Sequence, residues 1–183
     1  MLCEHGGLHD VVKVLDFGLV KDVQQVAPEL TQENALVGTP FYMAPELITD
    51  ASAFSPSSDL YALGGVGYFL LTGHNVFEGA SAVEIFAMHL HHPPVPLSQR
   101  SGRKIPSDLE TILMSCLAKD PQDRPPNAHE MAEMLARCDG FNHWSQRRAQ
   151  QWWAENRSAL PLDKHENTHS PLGDTHLLLD TKG

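Results

Sequence analysis

Three cysteines in 183 residues, Cys3, Cys116 and Cys138, are too few and too irregularly spaced for a disulfide framework or a thiolate metal site. A reducing cytosol is the simplest compartment for such a chain. Basic residues are scarce as well: 13 Lys and Arg stand against 23 Asp and Glu, a formal net charge of −10. Nucleic acid and anionic membrane both require concentrated positive charge, so neither is expected as the main partner, whereas a basic protein substrate is compatible. Long apolar runs are missing. The longest nearly apolar stretch, Leu60 to Leu71, holds twelve residues, against about twenty needed to span a bilayer. The first residues lack the basic and apolar regions of a secretory leader, because Glu4, His5 and Asp10 interrupt them. An apolar content of 42% suits one soluble domain with a real core, followed by a tail.

The pattern of what is present is mainly helical. Met1 to Cys3 and Val11 to Leu15 read as two short strands around a loop containing Gly6 and Gly7, the second rich in β-branched residues. From Leu19 to Val37 no period persists, which predicts a long functional loop. Ser58 is expected to cap a helix whose interior, Leu60 to Leu71, is apolar on all faces, marking it as the buried central helix; its glycines, Gly64, Gly65 and Gly67, predict closely packed neighbours. Ser81 with Glu84, and Ser107 with Glu110, have the spacing of capping boxes. The second opens Leu109, Ile112, Leu113 and Cys116 at one-face helical spacing, and a last core helix is expected from Asn127 through Met131, Met134 and Leu135 to Cys138. Residues 139–158 form an additional Trp-rich segment, helical from 142 to 157, with Trp144, Trp152 and Trp153 among arginines. It reads either as a helix laid over the lobe or as a partner-binding helix. Residues 159–183 are polar and histidine-rich and are expected to be a disordered tail.

Four motifs stand in a fixed order: Asp16-Phe17-Gly18; Gly38-Thr39-Pro40-Phe41-Tyr42-Met43-Ala44-Pro45-Glu46; Asp59 within Ser57-Ser58-Asp59-Leu60-Tyr61; and Cys116-Leu117-Ala118-Lys119-Asp120-Pro121 leading to Arg124-Pro125. Taken alone, an Asp-Phe-Gly turn is a weak signal. In this order, residues 1–138 resemble the C-terminal helical lobe of a bacterial serine/threonine protein kinase, an α+β family, with a short β-hairpin at its start. The resemblance implies that the catalytic loop lies just upstream of Met1, so that the sequence is a fragment or follows a misplaced start.

What the resemblance implies about roles is specific. Asp16 is similar to the carboxylate that holds magnesium bridging the phosphates of ATP, with Phe17 reporting active or inactive geometry and Gly18 allowing a sharp turn. Thr39 resembles the threonine that reaches towards the catalytic aspartate, on a substrate shelf formed by Gly38 to Met43. Glu46 is expected to pair with Arg124 and pin the segment to the helical core, and Asp59 to receive backbone hydrogen bonds from the catalytic loop. Lys21 matches a residue that helps hold an activation-loop phosphate, and Thr31 is the hydroxyl available to carry it; Thr31 reads equally as an ordinary exposed loop threonine. In a complete kinase ATP and Mg2+ would be the cofactors and proteins the substrates, whereas residues 1–183 alone, without an N-lobe or catalytic base, are expected to bind magnesium-ATP weakly or not at all and to be inactive. The rival reading is a catalytically dead docking module using the helix at 82 to 90. His89, His91 and His92 lack a further well-spaced ligand and read as solvated or helix-capping residues, not a metal site.

Overall fold

The structure is a computed structural model that describes residues 2–14 and 40–157. The expected loop from Leu19 to Val37 and the tail at 159–183 lie outside the described residues.

Strands β1 (Leu2–His5) and β2 (Leu8–Val12) form an antiparallel hairpin. Gly6 and Gly7, at φ 59° and 79°, make the two-residue turn, because a turn with positive φ at both central positions matches the twist of the strands and excludes most side chains. The second strand therefore starts three residues earlier than its β-branched run suggests. Leu2 pairs with Val12 and Cys3 with Val11, but His5 pairs with Leu8. Two residues, His9 and Asp10, thus oppose the single Glu4, and Asp10 takes a left-handed φ of 58°.

Seven helices follow among the described residues: α1 (Pro45–Thr49), α2 (Pro56–Thr72), α3 (Ala82–His91), α4 (Leu97–Ser101), α5 (Ser107–Cys116), α6 (Ala128–Ala136) and α7 (Gln146–Asn156). Helix α2 begins two residues before the expected cap. Ser55 occupies the N-cap position in extended backbone and Pro56 the first helical position, where its missing N–H costs nothing. Ser58 lies inside the first turn, and its hydroxyl is used elsewhere. The expected box at Ser107 is also absent: α5 starts at Ser107 itself, and Glu110 accepts from Ser98 N (2.9 Å) and Oγ (3.0 Å), tying α4 to α5. The caps at Ser81 and Asn127 do form, each side chain accepting from the backbone N–H three residues on. Glu84 reaches back to Ala80 N rather than to Ser81. Cys138 lies past the end of α6.

One core joins α2, α4, α5 and α6 through Leu60, Tyr61, Tyr68, Leu97, Leu113 and Met131. All-round apolarity predicts burial of every face of α2. The described residues cover only one side, leaving Leu63, Val66, Phe69 and Leu70 exposed. On the covered side α5 approaches closely: a Cβ on Gly64 would stand 2.7 Å from Cys116 Cβ, and one on Gly67 2.6 Å from a terminal methyl of Leu113. Gly64→Ala is therefore expected to lower stability by about 1 to 3 kcal/mol, since a helix-borne Cβ cannot yield. Gly67→Ala should be close to neutral, because a Leu113 rotamer can give way while alanine recovers about 1 kcal/mol of helix propensity. Urea midpoints of the two variants test the contrast.

Candidate functional site

The expected site residues divide by position. Asp16, Phe17, Gly18, Lys21, Thr31 and Thr39 lie outside the described residues. Glu46, Asp59 and Arg124 lie within them.

Pro40–Tyr42 makes a short 3-10 turn, and α1 follows with Pro45 at its first position, so Glu46 falls in the first turn of α1. Arg124 follows a second 3-10 turn, Pro121–Asp123, in extended backbone with its side chain wholly buried. The two residues, 78 apart in sequence, meet in a bidentate pair: Nη1 donates to Oε1 and Nη2 to Oε2, both at 2.8 Å. Such a fork is the stronger geometry for guanidinium and carboxylate. The remaining donors are also used. Nε donates to the Ala118 carbonyl at 2.9 Å, Nη1 to the Ser57 carbonyl at 2.9 Å and Nη2 to the Lys119 carbonyl at 3.2 Å. One side chain thus joins α1, the start of α2 and the turn after α5. The Tyr61 ring lies beneath the guanidinium at 4.9 Å.

Burial would raise the Glu46 carboxyl, but hydrogen bonds from Arg124, from its own backbone N–H and from Ser58, with the guanidinium charge, more than offset it and hold the group below its ordinary value. Ser58 donates its hydroxyl to Oε1 at 2.8 Å. This is the bond that takes Ser58 away from capping, and no local pattern announces it. Asp59, in the first turn of α2, is exposed and has no side-chain hydrogen bond among the described residues.

His89 departs from expectation. Its side chain is fully buried rather than solvated, because Ile85 and His89 share the inward face of α3. Nδ1 lies 2.7 Å from the Tyr61 hydroxyl and the Phe77 ring packs on it edge-to-face at 4.9 Å, while Nε2 has no hydrogen-bond partner among the described residues. Loss of hydration, with the nearby Lys119 charge, pulls its pKa down to about 4; the Phe41 backbone opposes this only weakly, since no hydrogen bond of ordinary geometry reaches Nε2. Lys119 sits 4.5 Å over the Phe77 ring and donates to the Met88 carbonyl at 3.4 Å. Desolvation and Arg124 pull it down to about 8. His91 and His92 are exposed as expected, and no group of three potential ligands stands together among the described residues.

The arrangement is an anchor: a cationic side chain buried in the helical core grips the carboxylate at the end of the Gly38-to-Glu46 motif. Sequence reading missed a second linkage, in which α7 lies against β2 and both Trp144 and Trp153 bond Asp10.

Comparison with known proteins agrees with the motif order. The protein kinase domain model matches residues 1–136. The chain is 40% identical over 133 residues to serine/threonine-protein kinase pkn3 of Myxococcus xanthus, covering 71% of this chain and 24% of that protein. It is 36% identical over 128 residues to serine/threonine-protein kinase PknB of Mycobacterium tuberculosis (70% and 20%) and 35% identical over 140 residues to the probable serine/threonine-protein kinase PknB of Corynebacterium glutamicum (75% and 21%). It therefore spans about a quarter or less of the length of these relatives.

Proposed function

The chain belongs to the protein kinase domain family, and from that premise we propose that it is the substrate-side, C-terminal part of a bacterial serine/threonine protein kinase. In the complete enzyme it would serve the transfer of the γ-phosphate of ATP to serine or threonine hydroxyls of proteins. The observation that carries this reading is the buried, bidentate Glu46–Arg124 pair, which ties the end of the activation segment to the helical core. Phosphoryl transfer asks a protein mainly for position and charge stabilisation, so an activation segment must be held rigidly at its far end.

Within this reading Asp16 would hold Mg2+ bridging the phosphates, with Phe17 and Gly18 setting its pose. Thr39 and the shelf from Gly38 to Met43 would receive the substrate hydroxyl segment. Asp59, exposed at the start of α2, would orient the catalytic loop, and phosphate on Thr31 would be held in part by Lys21. A cytosolic compartment belongs to this reading, on the cysteine usage alone. No helix among the described residues is long and apolar enough to cross a membrane.

Residues 1–183 contain neither a glycine-rich phosphate loop nor a His-Arg-Asp motif. Taken by themselves they should transfer no phosphate and bind magnesium-ATP weakly or not at all, which calorimetry and a generic protein-substrate assay test. The same residues preceded by a kinase N-lobe and catalytic loop should phosphorylate serine and threonine, and Asp16→Ala should abolish it. Transfer by the 183 residues alone would sink the division of labour, whereas no transfer by the complete enzyme would favour a docking module.

A further inference from the structure

We propose that α7 is an intramolecular clasp, in which Asp10, Trp144 and Trp153 are positioning residues that hold the β-hairpin from which the chain runs into Asp16. The consequence for Asp16 rests on the kinase reading; the clasp itself does not.

Asp10 carries the argument. It is the extra residue of the bulge opposite Glu4, and its φ of 58° lies in the left-handed region that costs side chains other than glycine. A bulge re-aims a side chain, and strain of this kind persists where the surroundings compensate it. Here both carboxylate oxygens are occupied: the Trp153 indole donates to Oδ1 at 2.6 Å and the Trp144 indole to Oδ2 at 2.8 Å. The neighbouring bulge residue is held too. The Gln146 side chain accepts from His9 N at 2.8 Å and donates to His9 O at 3.0 Å, as a neighbouring strand would. Four hydrogen bonds from one segment thus fall on two consecutive residues more than 130 positions away in sequence.

The hairpin needs such a partner. An isolated two-stranded ribbon is marginal in water, and among the described helices β2 packs chiefly against α7. Part of the boundary is open, a cleft of about 430 Å³ lined by Cys3, Glu4, His9 and Asp10 from the hairpin and by Gln150, Trp153 and Arg157 from α7 and its C-cap, while Ala149 of α7 is fully buried. Beside that cleft the polar contacts at Asp10 and His9 supply the directional part of the link. Val12 ends β2 four residues before Asp16 in the sequence, so on the kinase reading the hairpin is the described element nearest in sequence to the residue that would hold Mg2+.

Asp10→Asn isolates the effect, since asparagine tolerates the left-handed backbone but offers one carbonyl where the carboxylate satisfies two indoles. In the 183-residue chain, NMR should show the indole N–H of Trp144 or Trp153, and the hairpin amides of Val11 and Val12, exchanging about tenfold faster, as for loss of one charge-assisted bond. Amides of α2 and α5 should be unchanged. Trp153→Phe should reproduce the loosening of the hairpin without touching the backbone of the bulge, and the double variant should loosen it little further. In the enzyme containing these residues, Asp10→Asn should raise the half-saturating Mg2+ concentration about threefold or more, with kcat at saturating Mg2+ nearly kept. Unchanged indole exchange overturns the clasp, and faster indole exchange with unchanged hairpin amides overturns its hold on the hairpin. A loosened hairpin with an unchanged Mg2+ requirement overturns the positioning of Asp16. No phosphate transfer by the unsubstituted enzyme overturns the kinase reading and the link to Asp16 with it, while indole exchange still decides whether the clasp exists.

Discussion

Arg124→Ala is expected to lower the unfolding free energy by about 3 to 5 kcal/mol, a large fraction of the about 5 to 15 that holds an ordinary domain together. The size follows from what is stranded. The Glu46 carboxylate would lose its bidentate partner while remaining largely buried, and the carbonyls of Ser57, Ala118 and Lys119 would lose a donor together. Glu46→Gln should cost less, since an amide oxygen still accepts from the guanidinium. The double variant should cost less than the sum of the two, because after the first change the second removes a group that no longer has its charged partner. Additive urea midpoints would mean that the pair contributes nothing of its own. The pair also sets an acid limit. Glu46 titrates below its ordinary value of 4.5 in the folded chain, so its contribution is complete above that pH and is lost as pH falls through the lower folded value.

A drop in stability between about pH 6.5 and pH 4 is the second large effect, and it belongs to His89. Unfolded, the imidazole titrates near 6.5; folded, it titrates near 4, because protonation would place a charge in a dry site beside Lys119. In that window the unfolded chain binds the extra proton, so stability falls as pH falls, by up to about 3 kcal/mol at 1.36 kcal/mol per unit. Glu46 remains ionised through the upper part of the window and does not confuse the measurement. His89→Gln should cost stability at pH 7.5 and lose much of its pH dependence, so that wild type and variant converge towards pH 4.5. Parallel denaturation midpoints for the two proteins between pH 7.5 and 4.5 would refute the assignment.

The same residues show where local pattern reaches and where it stops. The helices around Leu60 to Leu71, Val83 to Leu90, Leu109 to Cys116 and Met131 to Leu135 were legible because apolar spacing and caps are written within a few positions. Gly64 and Gly67 announced close packing for the same reason, as a residue without a side chain inside an apolar helix has few other uses. The errors fall where a polar group had a distant competitor. Ser58 has the composition of a cap, yet Glu46, 12 positions away, takes its hydroxyl. Glu110 has the spacing of a box, yet it serves Ser98. His89 sits in a histidine-rich stretch that reads as solvated; Ile85 one turn earlier was the available sign that it faces inward.

The sequence by itself determined the class of this protein: a mainly helical lobe opened by a hairpin, with four ordered motifs that assign it to one family. Motif order and helical period are one-dimensional properties, and a chain carries them whether or not it is folded. Only the tertiary structure decided that the described residues cover one side of α2 and leave an apolar stripe on the other, that Tyr61 and His89 form a buried pair across 28 residues, and that Asp10 is held by indoles 134 and 143 positions away. These depend on which surfaces meet. Hydrogen-bond partners at such separations are chosen by how the core packs and by what is left unpaired after it has packed, and neither is written in the spacing of neighbouring residues.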